Sequence, residues 1–219
     1  MIDDPFLREL MRDLGVDAEL PTMINIAPTE TVPIVIETEA GRELRFMRWW
    51  LTPSWSDGPS SKYSMFNAKS ETIANSPAFR GPFRRHRGIV PASSFIEWQT
   101  DRDGKTPWLI KPRAGAFAFA AIWDHWHQDG VTVESCALIT TSAVPGIEPV
   151  HHRMPVMLDL HDYADWLNPA AGIDNPERFF RPQLPYSVQL APLDKAVNNA
   201  RNKDLALLKP LADPELIDA

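Results

Sequence analysis

Apolar positions along the chain fall into two periodicities. Residues 31 to 38, TVPIVIET, are rich in β-branched residues; the polar segment EAGR follows, and then ELRFMRWWL resumes the apolar pattern. Two such runs joined by a short glycine-containing segment predict a β-hairpin. The same pattern predicts further strands at GIVPASSFIEW, TPWLIK, GAFAFAAIWDHW and VTVESCALITT. Helical spacing holds instead for Phe6, Leu7, Leu10, Met11 and Leu14 within DDPFLRELMRDLG, with Asp3 and Asp4 at its start, Pro5 early and Gly15 behind it. Acid and proline at the entry and glycine at the exit predict a short amphipathic helix. Helical pieces are also expected at LHDYADWL, PERFF and NKDLALLKPL. Strands that crowd the middle, with helices towards the ends, predict an α+β fold: a curved, mostly antiparallel sheet or barrel with peripheral helices. No internal repeat is visible, and a single domain over residues 1–219 is expected.

Composition narrows the picture. Eight Trp and ten Phe fill a core of this size and leave some tryptophan for a binding surface. The net charge of -7 excludes a generally basic nucleic-acid coat, yet it conceals the basic run FRGPFRRHR at 79–87. Cys136 is the one cysteine, so no internal disulfide forms, and its place in an alternating apolar run predicts a buried strand thiol. No apolar run reaches membrane-spanning length, and the acidic N-terminus is unlike a signal peptide, so the expected location is cytoplasmic, without membrane contact. Several of the 21 prolines stand where strands end, in IAPTE, LTPSW, IVPASS and RMPV. Proline there fixes φ and stops ladder pairing, which makes rigid rims suited to holding a site.

Candidate chemistry gathers at such rims. His151, His152 and Arg153 stand at the mouth of the apolar run VML, where an imidazole can move protons and a guanidinium can hold an anion. Glu97 lies among Phe95, Ile96 and Trp98, surroundings that raise a carboxyl pKa and suit it to acid–base work. Trp55 on the PSW loop is a candidate base-stacking residue, and Lys69, Arg80, Arg84, Arg85 and Arg87 are candidates to track phosphates. The competing reading of the arginine run is a solvated helix face. Trp49, Trp98 and Trp123 are expected in the core. His125 and His127 alternate in WDHWHQDG as strand ligands can, but no ligand quartet has familiar spacing, so neither a metal nor another cofactor is expected and a hairpin tip is the better reading. A glycine-rich phosphate loop and a G-x-S-x-G elbow are both missing.

Five segments in order, NIAPT at 25, WWLTPSW at 49, NAKSET at 67, VPASSFIEW at 90 and HHRMP at 151, resemble the motifs of the SRAP family, the SOS-response-associated peptidase domain. The likeness runs from Asn25 to Pro210. It implies a sensor of abasic sites in single-stranded DNA, in which an N-terminal cysteine condenses with the ring-opened sugar to form a thiazolidine crosslink. By motif position the resemblance implies that Asn67 orients the amine, Glu97 is the catalytic glutamate, His151 is the catalytic histidine and Arg153 contacts phosphate. The implied partner is single-stranded DNA, with the protein expected to act as a monomer. A non-catalytic DNA-binding module and a peptidase limited to self-processing are the alternatives.

The chain departs from the pattern at its start, MIDDPF, where the family begins Met-Cys-Gly-Arg. Either the protein is a degenerate member that binds DNA without crosslinking, or Met1 is internal and translation begins upstream. The second is preferred, because Asn67, Glu97 and His151 would otherwise have lost their reactive partner. Lys69 stands for the usual Arg, Trp50 for a Gly, Ser93 and Ser94 for Asp-Gly-like residues and Ile96 for an aromatic.

Overall fold

A computed structural model describes residues 5–60, 62–102, 104–171 and 176–219. The entry acids Asp3 and Asp4 of the first predicted helix, and the terminus itself, lie outside the described residues. The remainder of that helix is present as α1, Pro5–Asp13, which buries Leu7, Leu10 and Met11. Gly15, at φ 72, ends it with the left-handed geometry that a side chain disfavours.

The predicted hairpin is β1, Thr31–Thr38, paired in antiparallel register with β2, Gly41–Trp49. The longest strands are β7, Phe117–Gln128, and β8, Val131–Ser142, which form a second hairpin. Its two-residue turn is Asp129–Gly130, both at positive φ, which matches the right-handed twist of the strands. His125 and His127 stand near this tip, as expected. Between the hairpins in the sheet runs β4, Arg87–Ala92, antiparallel to both β1 and β7. The sheet closes because β2 also pairs with β8, in parallel, through Arg48–Ser135 and Trp49–Cys136. The resulting ring, β2-β1-β4-β7-β8, is the expected barrel-like core. Two short strands extend it from β8: β3, Asn67–Lys69, in parallel, and β9, Arg153–Pro155, antiparallel.

Both faces of the ring are covered, which explains why FAFAAI in β7 is apolar at every position. Val35, Ile89, Ala118, Ala120 and Ile139 join α1 and the α3 helix, Tyr163–Leu167, around the wholly buried Trp166. Ile34, Met47, Phe117, Phe119 and Leu138 join a second sheet. This sheet consists of β5, Phe95–Asp101; β6, Gly104–Pro112; β10, Val188–Pro192; and β11, Glu215–Ile217. Cys136 lies buried among these residues, and burial pushes its thiol up to about 12, so it is an inert packing group.

Three sequence expectations are corrected. GIVPASSFIEW is two strands, not one: β4 ends at Ala92, Ser93 and Ser94 break the ladder, and β5 enters the other sheet. Of the expected C-terminal helical pieces, LHDYADWL is helical throughout, a 3-10 turn at Leu160–Asp162 running into α3, whereas PERFF and NKDLALLKPL hold only single 3-10 turns, at Pro176–Arg178 and Leu205–Leu208. Trp49 and Trp123 are half-buried at the margin of a core cluster and Trp98 is half-buried outside the clusters, whereas Trp166 and Trp126 are the buried tryptophans.

Candidate functional site

The second sheet delivers Glu97. Successive β5 side chains alternate between faces. Ile96 packs with Leu109, Leu193 and Val197, and Trp98 donates its Nε1–H to Asn198 Oδ1. On the other face Phe95 packs edge-on against Phe117 and Phe119 of the barrel. Glu97 follows on that side, and Gln99 donates to Pro149 O in the turn that precedes His151. Thus the strand that fills the core at Phe95 presents a carboxylate two residues later to the histidine turn.

Glu97 Oε2 lies 3.7 Å from His151 Nδ1, with side chains 23% and 34% exposed. Burial pushes the Glu97 carboxyl above its ordinary range, and the nearby His151 charge and the Trp98 N–H only partly oppose it. His151 Nδ1 sits 2.9 Å from Arg153 O and 3.2 Å from Arg153 N. The carbonyl accepts from this nitrogen when it carries a proton, and the amide donates to it when it does not. The ring therefore keeps a backbone partner on either side of a proton transfer.

Arg153 crosses to the turn that follows β3. Its two terminal nitrogens donate to both oxygens of Glu71, at 2.6 and 3.0 Å, and one also reaches Thr140 O at 2.6 Å. The guanidinium accordingly holds the Glu71 carboxyl below its usual range. This bidentate carboxylate occupies the guanidinium edge that phosphate oxygens would use. Because β3 and β9 flank the same stretch of β8, Lys69 stands beside Thr140 and Arg153 beside Ser142. Asn67 begins β3, and among the described residues its buried Oδ1 has no hydrogen-bond partner, nor has Arg153 Nε. Two unsatisfied polar atoms on one short reach of sheet are groups that a polar ligand can satisfy.

A second group forms around Asp124 on β7. Its Oδ2 accepts from Ser54 N at 2.9 Å, and its Oδ1 accepts from His125 N at 2.9 Å and lies 3.7 Å from His86 Nδ1. Trp126 Nε1 donates to Ser56 O, so the 54–56 loop is pinned on both sides of Trp55, which is 67% exposed. His86 ends α2, Arg80–Arg85, whose Arg80, Arg84 and Arg85 are exposed. Asp124 thereby joins the two segments carrying Trp55 and the arginine run. It stands seven positions along β7 from Phe117, roughly 23 Å at about 3.3 Å per residue, so the two groups are well separated along the sheet.

Arg87 does not belong to either group, contrary to the sequence reading of it as a phosphate contact. It is 2% exposed and donates to the carbonyls of Trp166, Phe83, Arg84, Asn168 and Ala171. All five guanidinium N–H groups are thus used, binding the ends of α2 and α3 to β4. NIAPTE likewise proves architectural. Asn25, at φ 49, donates from Nδ2 to Val197 O, Asn199 O and Asn202 O, and Lys203 pairs with Glu30 at 2.6 Å. Sequence reasoning missed Glu71, although NAKSET contains it, and missed Asp124, whose partners are remote in the chain.

Comparison with known proteins agrees with this architecture. The family model described as "SOS response associated peptidase (SRAP)" matches residues 5–200. Abasic site processing protein YoaM of Bacillus subtilis is 36% identical over 192 residues, covering 84% of this chain and 83% of the relative. Abasic site processing protein YedK of Escherichia coli is 27% identical over 206 residues, covering 93% and 91%. A crystal structure of a protein from Bacteroides thetaiotaomicron superposes with a TM-score of 0.73 at 24% identity, over 84% of this chain and 82% of the other.

Proposed function

The chain belongs to the SOS response associated peptidase family, and from that premise we propose that it binds single-stranded DNA at abasic sites and carries out proton transfers on the ring-opened sugar. The observation that carries this reading is the Glu97–His151 pair. A half-buried carboxyl with a raised pKa stands 3.7 Å from an imidazole that is backbone-anchored in both proton states. Opening a deoxyribose hemiacetal needs a proton removed from the hydroxyl and one returned to the ring oxygen. Dehydrating the carbinolamine formed with an amine needs a proton given to the leaving hydroxyl. A carboxyl whose affinity for its proton is raised by burial serves as the donor and the imidazole as the acceptor.

The surrounding groups take supporting roles in this proposal. Asn67 Oδ1, without a protein partner, accepts from the attacking amine and orients it. Arg153 exchanges Glu71 for a phosphate, helped by Lys69, while Trp55 stacks on a base and Arg80, Arg84 and Arg85 follow the backbone. A thiazolidine crosslink further needs a residue with both a free α-amine and a thiol. Cys136 has no free amine and lies buried, so in this proposal a crosslink forms only where the native N-terminus is a cysteine.

The test uses protein bearing its native N-terminus and a single-stranded oligonucleotide with one abasic site. Adduct formation is followed on denaturing gels and by intact mass. Glu97→Gln and His151→Ala are expected to slow the chemical step by roughly 10²–10⁴-fold and to leave affinity for intact single strands nearly unchanged. Unchanged rates in both variants would reduce the protein to a non-catalytic binding module. Glu97-dependent cleavage of unrelated peptides would replace the proposal with a proteolytic function.

A further inference from the structure

The residues around Asp124 have a capacity that the DNA reading leaves unused. His86, Asp124 and His125 each present one ligand atom, and these atoms lie within 4.8 Å of one another. The His86 Nδ1 to Asp124 Oδ1 separation is 3.7 Å. That is too long for a hydrogen bond. It is close to the roughly 3.4 Å between two ligands of a tetrahedral ion with bonds of about 2.0–2.1 Å. We propose that His86, Asp124 and His125 form a binding site for a first-row divalent cation, with zinc the best match to two imidazoles and one carboxylate.

Each ligand is prepared for this role. His86 Nδ1 is buried and, among the described residues, has no partner within hydrogen-bond distance, so in the neutral ring it is available to an ion held beside Asp124 Oδ1. Its ring is stacked on Trp123 at 4.6 Å and 24°, which limits rotation away from the site. Asp124 is buried, and its two oxygens are oriented by the N–H groups of Ser54 and His125. A carboxylate has about four acceptor positions, so these two bonds leave room for a metal and act as the supporting contacts that ligands of metal sites use. His125 is exposed and gives the ion a route in, and three protein ligands leave a fourth position for water or an anion. Folding, not chain spacing, assembles the trio: His125 pairs with His86 rather than with His127, which instead bonds Thr132 Oγ1 at 2.8 Å.

The ion would join the pinned Trp55 loop to the end of α2 and place positive charge next to Arg84 and Arg85. That consequence rests on the DNA-binding reading; the metal site does not, so it is tested without DNA. Full chain purified without a polyhistidine tag is stripped with a chelator. Zn²⁺ affinity is then measured by calorimetry and by competition with a chromogenic chelator, and Co²⁺ is added to read the d–d absorption of a tetrahedral site.

Wild type is expected to bind one equivalent. Asp124→Asn and His125→Ala should each weaken binding at least roughly tenfold, the loss that even a supporting residue of a metal site produces. His127→Ala should leave affinity unchanged, as should His161→Ala in the separate Asp159, His161, Asp162 cluster. Substitution at the buried Asp124 also perturbs folding, whereas His125 is exposed, so His125→Ala decides the matter. Equal affinity of wild type and His125→Ala, loss of binding only in His161→Ala, or no binding by wild type at micromolar zinc would each overturn the site.

Discussion

Replacing Glu97 by Gln separates what its carboxylate does for folding from what it does for chemistry. The side chain has lost most of its hydration, and its compensation is the Trp98 N–H and His151 at 3.7 Å. Attraction to a protonated His151 across that distance is about 4 kcal/mol at an effective dielectric near 20. Taking a carboxylate out of water costs several kcal/mol, and here burial outweighs the compensation, so the carboxyl is held above its ordinary 4.5. The native state then binds this proton more tightly than the unfolded chain does. The resulting stability is fully present below pH 4.5 and is lost as pH rises through the native value. Gln keeps the shape without the charge. It should match the protonated wild type at pH 4 and exceed the ionised one at pH 7, by about 0.5–2 kcal/mol, the usual gain when strain at a functional site is relieved.

Paired thermal melts of wild type and Glu97→Gln from pH 4 to pH 8 read this difference, and the other carboxylates cancel between the two proteins. The expected result is a rise in Tm of about 2–4 °C per kcal/mol at pH 7 that shrinks to nothing at pH 4, together with the slower adduct formation described above. A lower Tm at pH 7, or a difference independent of pH, would mean that Glu97 is a well-solvated or well-paired carboxylate. The acid–base reasoning would then fail with it.

Two other substitutions address the architecture and the surface. Arg87→Met removes five buried donors and leaves five carbonyls to find other partners, so a loss of about 3–5 kcal/mol in chemical denaturation is expected, and Arg87→Lys, with three donors, should restore only part of it. A loss below about 1 kcal/mol would show that the clamp is not structural. Trp55→Ala, at a side chain 67% exposed, should change stability by no more than about 0.5 kcal/mol while weakening single-strand binding by about 1–3 kcal/mol in a fluorescence-anisotropy titration. Full retained affinity would remove Trp55 from the interface.

The long elements of the fold were legible in the sequence. The β1–β2 hairpin, the β7–β8 hairpin and α1 have elements of eight or more residues, long enough for the helical period of α1 and the continuous apolar, turn-bounded runs of β1 and β7 to stand out. β3, β9 and β11 have three residues each, too few to express any period, and tertiary pairing alone makes them strands. Arg87 was misread because a charge within FRGPFRRHR signals solvent unless the five carbonyls that surround it are known, and these come from segments up to 84 positions away.

The misread strand is also what creates the candidate site. Had GIVPASSFIEW continued as one strand beside β7, Glu97 would have remained in the closed ring. The break at Ser93–Ser94 turns the chain into the second sheet instead, where Phe95 packs back against Phe117 and Phe119. The same alternation points Glu97 and Gln99 at the 149–151 turn, and the Gln99 bond to Pro149 O fixes that turn relative to β5. Residue type alone could nominate Glu97 and His151, but the raised pKa depends on burial between two sheets, and burial depends on a change of sheet that hydrophobic alternation does not encode. For the same reason Glu71 escaped notice: its partner Arg153 is 82 positions away, and they meet only because β3 and β9 flank one end of β8.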